Sequence, residues 1–125
     1  MASSSPNKVV AARAAAILTT AEVAAATLDL NETYAGRVSV DINFTLGSLT
    51  NVVLRYYVSM DGTNWTPVET DGGDGVSHTL TATTTKAVPV QAGGWKFFKT
   101  SAQGTGTVTS SSLTLNYRYL RRGSQ

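Results

Sequence analysis

The sequence has no cysteine, little charge and no long apolar run. The absence of cysteine excludes a disulfide framework and a thiolate metal site, and it leaves the redox compartment open. Charged residues are 14% of the 125 residues and the formal net charge is +2, which excludes the strong basic field of a dedicated nucleic-acid binder. No stretch is apolar for long enough to span a bilayer. We therefore expect one soluble domain, with no direct contact to nucleic acid or membrane, that depends on a modest core or on oligomerisation.

The pattern of the first 28 residues does not decide between helix and strand. The opening "MASSSPNK" offers nothing to bury, and we expect residues 1–12 to form a flexible N-terminal arm. The Ala-rich segment from Val9 to Leu28 places its apolar residues on one helical face, yet everything downstream has the pattern of strands. We expect strands at about residues 13–19 and 25–30.

Strand-like alternation dominates the sequence after Gly36. In "RVSVDINFTL" every second residue is apolar, and "NVVLRYYVSM" repeats the pattern, with Met60 as its last inward residue. Four further segments bounded by turn-forming residues are candidate strands: "HTLTAT", "KAVPVQ", "GWKFFKT" and "SLTLNYRYL". Short strands at this spacing predict an all-β domain, an antiparallel β-sandwich or jelly roll of about eight strands, over residues 13–122, followed by a C-terminal tail at 123–125.

Two local patterns predict positions within the sandwich. Pro89 has no N–H to donate to a ladder, so "KAVPV" is expected at a sheet edge or at a bulge. In "SLTLNYRYL" the tyrosines alternate with Asn116 and Arg118, so Tyr117 and Tyr119 are expected in the core rather than on a nucleic-acid surface.

The hairpin "YYVSMDGTNWTPVE" carries the most conspicuous aromatic residue. Asp61 and Gly62 supply turn chemistry, and the favoured interpretation of Trp65 is that it covers the end of the core after the turn. The alternative is an exposed ligand platform for a sugar ring, formed by Trp65 with Tyr57 and the loop at residues 71–75. That loop, "DGGDG", has two carboxylates but lacks the ligand number and spacing of a calcium loop, so a plain turn is favoured.

The sequence predicts an interaction surface and no chemical centre. Val53, Tyr57 and Phe98 point away from the core if their strands alternate, and such an outward apolar set indicates a subunit contact. His78 is the only histidine, and no activated nucleophile is evident beside it. We therefore expect no catalytic, cofactor-binding or metal-binding residues, and a protein that is not an enzyme.

Two stretches of the sequence resemble a known group of proteins. Residues 26–68, "ATLDLNETYAGRVSVDINFTLGSLTNVVLRYYVSMDGTNWTPV", contain a polar "DL" segment, an alternating strand and a strand ending in "S-x-D-G-x-N-W"; "GGWKFFKTSAQGTGTVTSSSLTLNYRYL" is similar to a closing hairpin. Together, over about residues 24–120, they resemble the small β-sandwich structural proteins of tailed bacteriophage virions. Similar hairpins also occur in carbohydrate-binding and adhesin domains.

The resemblance implies a non-enzymatic particle component. Its expected location is the virion, assembled in the host cytoplasm, and its expected partners are the major capsid protein or other virion subunits, including further copies of itself. Capsid decoration or cementing is the leading role. A neck or tail component is the alternative within this class, and a carbohydrate-binding module is the alternative outside it.

Overall fold

A computed structural model of the chain describes residues 7–68 and 77–121. These residues form ten strands and one short 3₁₀ turn, Leu30–Glu32, between the third and fourth strands. The strands are β1 (Asn7–Ala16), β2 (Val23–Ala24), β3 (Leu28–Asp29), β4 (Arg37–Thr45), β5 (Leu49–Ser59), β6 (Thr66–Pro67), β7 (Ser77–Leu80), β8 (Thr84–Gln91), β9 (Phe97–Gly106) and β10 (Ser112–Leu120).

The strands form two antiparallel sheets that pack against each other. The four-stranded sheet has the order β1-β10-β4-β8. The six-stranded sheet has the order β2-β9-β5-β6, with β3 also pairing with β9 and β7 with β5. The predicted all-β sandwich is therefore confirmed.

The core lies between the sheets and follows the alternation of β4, β5 and β10. Every second residue of β4, of β10 and of β5 from Val52 to Val58 is buried, including Tyr117 and Tyr119 as predicted. The Phe98 ring is stacked on Tyr56, with centroids 6.3 Å apart, and meets Tyr117 edge-on at 5.4 Å. Because Tyr56 and Tyr117 belong to different sheets, this aromatic cluster joins the two layers at the centre of the core.

The predicted orientation of β9 is wrong. Phe98 was expected on the outer face but is fully buried, whereas Phe97 is half-buried and Trp95 is 40% exposed. In the antiparallel pairing with β5, Phe98 lies opposite the inward-facing Val58, and directly paired residues share a face of the sheet. Phe98 is therefore a core residue and is not available as a subunit contact.

The N-terminal strand begins earlier than the sequence suggests. Residues 7–12, expected in the arm, belong to β1, which pairs with β10 from the contact of Asn7 with Leu120 onward. Residues 9–28 contain no helix. In place of the two strands expected at about residues 13–19 and 25–30, the structure has β1, which ends at Ala16, and the two short strands β2 and β3. Tertiary pairing decides this segment, because β10 offers a hydrogen-bonding edge that an isolated Ala-rich helix would leave unused. The expected tail at 123–125 lies outside the described residues.

The end of β5 also differs from simple alternation. Ser59 is fully buried and Met60 is 58% exposed, although Met60 was expected to point inward. The strand ends at Ser59, and its hydroxyl accepts hydrogen bonds from the backbone N–H groups of Asp61 and Gly62. The turn therefore begins one residue before the alternating pattern in the sequence ends.

In the described part of the chain, each sheet edge is a short strand, a strand with register shifts or a strand that contains a proline. Pro89 lies on β8, which pairs only with β4, so the predicted edge position is confirmed. β1, at the opposite edge, contains two register shifts, and its Ala12 carbonyl accepts a hydrogen bond from Ala26 N–H. The outermost strands of the six-stranded sheet are two to four residues long. Such edges oppose strand addition by a neighbour, and the broad faces are the larger contact surfaces.

Candidate interaction surfaces

The outer face of the six-stranded sheet carries two of the three predicted contact residues. Tyr57 pairs with Lys99, and Val53 with Gln103, so these side chains of β5 and β9 share one face. Val53 and Tyr57 are both half-buried there. The structure thus places these two predicted residues on one face, with Arg55 between them, and separates them from Phe98.

Glu22 is the centre of a hydrogen-bond network on this face. Its Oε2 accepts hydrogen bonds of 2.6 Å from the Ser101 hydroxyl and 2.6 Å from the Tyr57 hydroxyl, and its Oε1 lies 3.4 Å from Arg55 Nη1. The hydrogen bond from Ser101, followed by that from Tyr57, lowers the pKa of Glu22. Burial raises the pKa of the Tyr57 phenol, and its bond to the Glu22 carboxylate adds to the effect. Glu22 is therefore held as a carboxylate, and Tyr57 keeps its proton.

Gln103 extends the same network to the backbone. Its Oε1 accepts a 2.9 Å hydrogen bond from Arg55 Nη1, and its Nε2 donates at 3.1 Å to the carbonyl of Thr20. The segment before β2 is thus fastened across the sheet at two points, Thr20 and Glu22. Glu22 is not recognisable as a functional residue from the sequence, because its partners lie 33 to 79 residues away and no local pattern joins them.

Trp65 lies at the border of this face and is not a buried core residue. Its side chain is half-buried, and the Lys99 ammonium group is 4.3 Å from the ring centroid. The same ammonium group is 5.7 Å from the centroid of Tyr57, so one cation contacts both rings. The favoured interpretation of Trp65 as a cover for the core is therefore wrong. The ring follows the turn and emerges beside Lys99 rather than between the sheets.

The turn of the hairpin is a self-contained structural unit. Asp61 Oδ1 accepts hydrogen bonds of 2.8 Å from the N–H groups of Thr63 and Asn64, and Oδ2 accepts one of 2.7 Å from Asn64 Nδ2. These bonds, led by that from the Asn64 backbone, hold the pKa of Asp61 well below its usual range. The carboxylate is occupied by its own turn, so the turn shapes the chain and positions Trp65.

His78 contacts a core residue. Its Nδ1 lies 3.1 Å from the Tyr56 hydroxyl, and the two rings meet edge-on at 5.5 Å. Burial, and then the charge of Lys86, lower the pKa of His78. The imidazole is the hydrogen-bond partner of the buried Tyr56 hydroxyl, which gives His78 a structural role.

The remaining predictions concern metals and membranes. Within residues 7–68 and 77–121, no three His, Asp or Glu side chains are grouped so that they could hold a metal ion. The loop at residues 71–75, considered for calcium and for a sugar platform, lies outside the described residues. Among the described residues there is also no helix of the length and apolarity needed to cross a membrane.

The outer face of the four-stranded sheet has two adjoining shallow grooves. The larger has a volume of about 540 Å³ and is lined by Arg37, Val38, Ser39, Pro89, Val90, Gln91, Arg118, Tyr119 and Leu120. The second, of about 420 Å³, is lined by Asp41, Ile42, Asn43, Thr85, Lys86, Ala87, Asn116 and Arg118. Arg118 separates the two grooves and forms a 3.2 Å ion pair with Asp41. The sequence analysis did not predict these grooves, because they depend on three strands that are distant in the chain.

Comparison with known proteins gives no family for this chain. No protein-family model matches it, and no curated protein is significantly similar to it.

Proposed function

We propose that this protein is a non-enzymatic structural component of a virion, and that it decorates or cements the capsid through its outer surface. The observation that carries the proposal is the outer face of the six-stranded sheet, where Glu22 holds the Tyr57 hydroxyl at 2.6 Å on the same face as the half-buried Val53. A fixed aromatic side chain loses little conformational freedom when a partner covers it. The motifs of residues 24–120, which resemble those of phage virion proteins, support the same role.

The mechanism is adhesive. The protein buries apolar and hydrogen-bonding surface on neighbouring virion subunits, so that opening the shell must also break these contacts. The register shifts of β1 and the proline in β8 favour association through faces, because they disfavour continuation of the four-stranded sheet into a neighbour. Partners are the major capsid protein or other virion subunits, together with further copies of this chain.

Copy number tests the position on the particle. Mass spectrometry of purified particles, normalised to the major shell protein, is expected to show a number of copies close to that of the shell protein or of its capsomers. A number that matches a single ring would instead assign the protein to the neck or tail. Absence from particles would contradict the virion role.

A second experiment tests the face itself. Val53→Glu places a charge within the proposed contact. We expect this substitution to abolish binding of the purified protein to particles prepared without this protein. Thr45→Glu is the matched control, because Thr45 is exposed on β4 of the other sheet. Both variants should melt at about the wild-type temperature. Equal binding by the two variants would place the contact elsewhere.

A carbohydrate-binding module is the second candidate, and one observation favours it. Trp65 and Tyr57 are both half-buried and flank the Lys99 ammonium group, at 4.3 and 5.7 Å. Aromatic rings beside a polar group are typical of sugar platforms. If this candidate is right, the protein binds glycans on an array and Trp65→Ala abolishes that binding. If the virion proposal is right, the protein binds assembled shells and free glycans do not compete with that binding.

A further inference from the structure

We propose that the larger groove on the four-stranded sheet binds an extended peptide segment of a partner protein, with an apolar side chain next to a carboxylate. This surface lies on the opposite face of the sandwich from Val53 and Tyr57. The inference goes beyond the proposed function and does not depend on it.

The shape of the groove follows from one small residue. Ser39 on β4 pairs with Arg118 on one side and with Pro89 on the other, so the three residues form a row on the outer face. The short serine side chain between two larger neighbours leaves a depression in the middle of the row. The resulting volume of about 540 Å³ accommodates a large side chain and its backbone.

The charge of the groove is positive. Its nine lining residues include Arg37 and Arg118 and no carboxylate. The Arg37 side chain is exposed, and its guanidinium group has no hydrogen bond or ion pair with any residue of 7–68 or 77–121. Arg118 contacts Asp41 through one nitrogen at 3.2 Å, which leaves further N–H donors of its guanidinium group for a ligand. A carboxylate placed between the two arginines would accept charge-assisted hydrogen bonds from both.

Apolar surface lies next to these charges. Leu120, 48% exposed, lines the same groove as Pro89. Val9, 60% exposed, pairs with Arg118 across β1 and β10 and extends the apolar rim. Burying these side chains against an apolar group would gain roughly 25 cal/mol per Å² of covered surface. The ligand therefore needs an apolar side chain as well as a negative charge.

The second groove indicates that the ligand is an extended segment. It continues along β4 to Asn43, and Arg118 lines both grooves. The distance from Ser39 to Asn43 is roughly 13 Å, which an extended peptide of about four residues spans. Amide side chains of Asn43 and Asn116 provide hydrogen bonds for its backbone. Pro89 has no N–H to donate to a new strand at the edge of β8. The bound peptide is therefore expected to lie on the outer face of the sheet, along β4, and not to add a strand to its edge.

Peptide binding by the full chain tests this inference. The probes are two fluorescein-labelled decapeptides of Ser and Gly, one with a leucine between two glutamates and one with a leucine between two lysines. We expect the acidic peptide to bind and the basic one not to bind, measured by fluorescence anisotropy up to about 1 mM protein. Amide shifts in ¹⁵N-labelled protein should centre on Ser39, Gln91 and Leu120. Added salt should weaken the binding.

Two variants separate the groove from general charge attraction. Arg37→Glu should lower the affinity for the acidic peptide about tenfold or more. Lys96→Glu, the same charge change at an exposed residue after β8, should leave the affinity nearly unchanged. Equal effects of the two variants, equal binding of both peptides, absence of binding, or amide shifts around Tyr57 would each overturn the proposal. So would a wild-type oligomer that Arg37→Glu alone converts to a monomer in light scattering, because the groove would then hold a second copy.

Discussion

The Tyr57 hydroxyl donates a 2.6 Å hydrogen bond to the Glu22 carboxylate, which joins the C-terminal part of β5 to the segment that precedes β2. Ser101 on β9 donates to the same oxygen at 2.6 Å. The segment before β2 is also attached through the buried Leu18 and through the Thr19 carbonyl, which accepts a 2.8 Å hydrogen bond from the Gly104 N–H, and the Glu22 carboxylate adds to this attachment. Glu22 therefore connects the architecture of the six-stranded sheet to the surface proposed for partner binding.

Glu22→Gln should lower the free energy of unfolding by about 1 kcal/mol at neutral pH, because the amide is a weaker acceptor than the carboxylate. The folded-state pKa of Glu22 is lowered, so its stabilising contribution is present above the unfolded value of about 4.3 and is lost as pH falls through the folded pKa. Urea unfolding from pH 7 to pH 3 measures this effect. The difference between wild type and variant should shrink in acid, and a difference that does not change with pH would contradict the prediction.

Tyr117 connects the two sheets through its hydroxyl. The hydroxyl accepts a 3.0 Å hydrogen bond from the Thr100 N–H and donates at 2.9 Å to the Ala26 carbonyl. Tyr117→Phe removes both bonds inside the protein and should cost about 1–3 kcal/mol in unfolding free energy. Tyr119→Phe is the matched control, because it removes one bond to Glu32 and should cost less. Equal losses in chemical denaturation would mean that the buried Thr100 N–H does not depend on Tyr117.

Phe98 provides a direct test of the orientation of β9. Phe98→Ala should cost about 3–5 kcal/mol, because it opens a cavity between Tyr56 and Tyr117. Phe97→Ala should cost much less, since Phe97 is half-buried on the opposite face of the strand. Thermal and urea unfolding measure both losses. The reverse order of the two losses would restore the orientation predicted from the sequence.

Gly47 is required in the turn between β4 and β5. Its φ is +57°, and a Cβ built there would overlap the carbonyl group of Ser110. Gly47→Ala should therefore cost about 3 kcal/mol or more, from the left-handed backbone and the backbone overlap together. Gly94→Ala is the control, because its φ is +91° but nothing lies within 4 Å of the added Cβ. The control should cost only about 1–2 kcal/mol, and equal costs would show that the contact with Ser110 relaxes freely.

The sequence by itself determined the all-β class and the inward faces of β4, β5 and β10. In these strands a large apolar residue stands at every inward position and most outward positions are polar, so one orientation buries far more apolar surface than the other. The edge position of Pro89 was also predictable, because a residue without an N–H cannot occupy a central ladder.

Only the tertiary structure decided the orientation of β9, the start of β1 and the partners of Glu22. β9 contains the adjacent pair Phe97 and Phe98, so each of the two possible orientations of the strand buries one of these rings. The register with β5 selects the orientation that buries Phe98. β1 consists largely of alanine, whose small side chain fits helix and strand alike until β10 provides hydrogen bonds. Glu22 finds its partners on strands distant in sequence. In each case the local pattern is compatible with two structures, and contacts formed across the folded molecule select one of them.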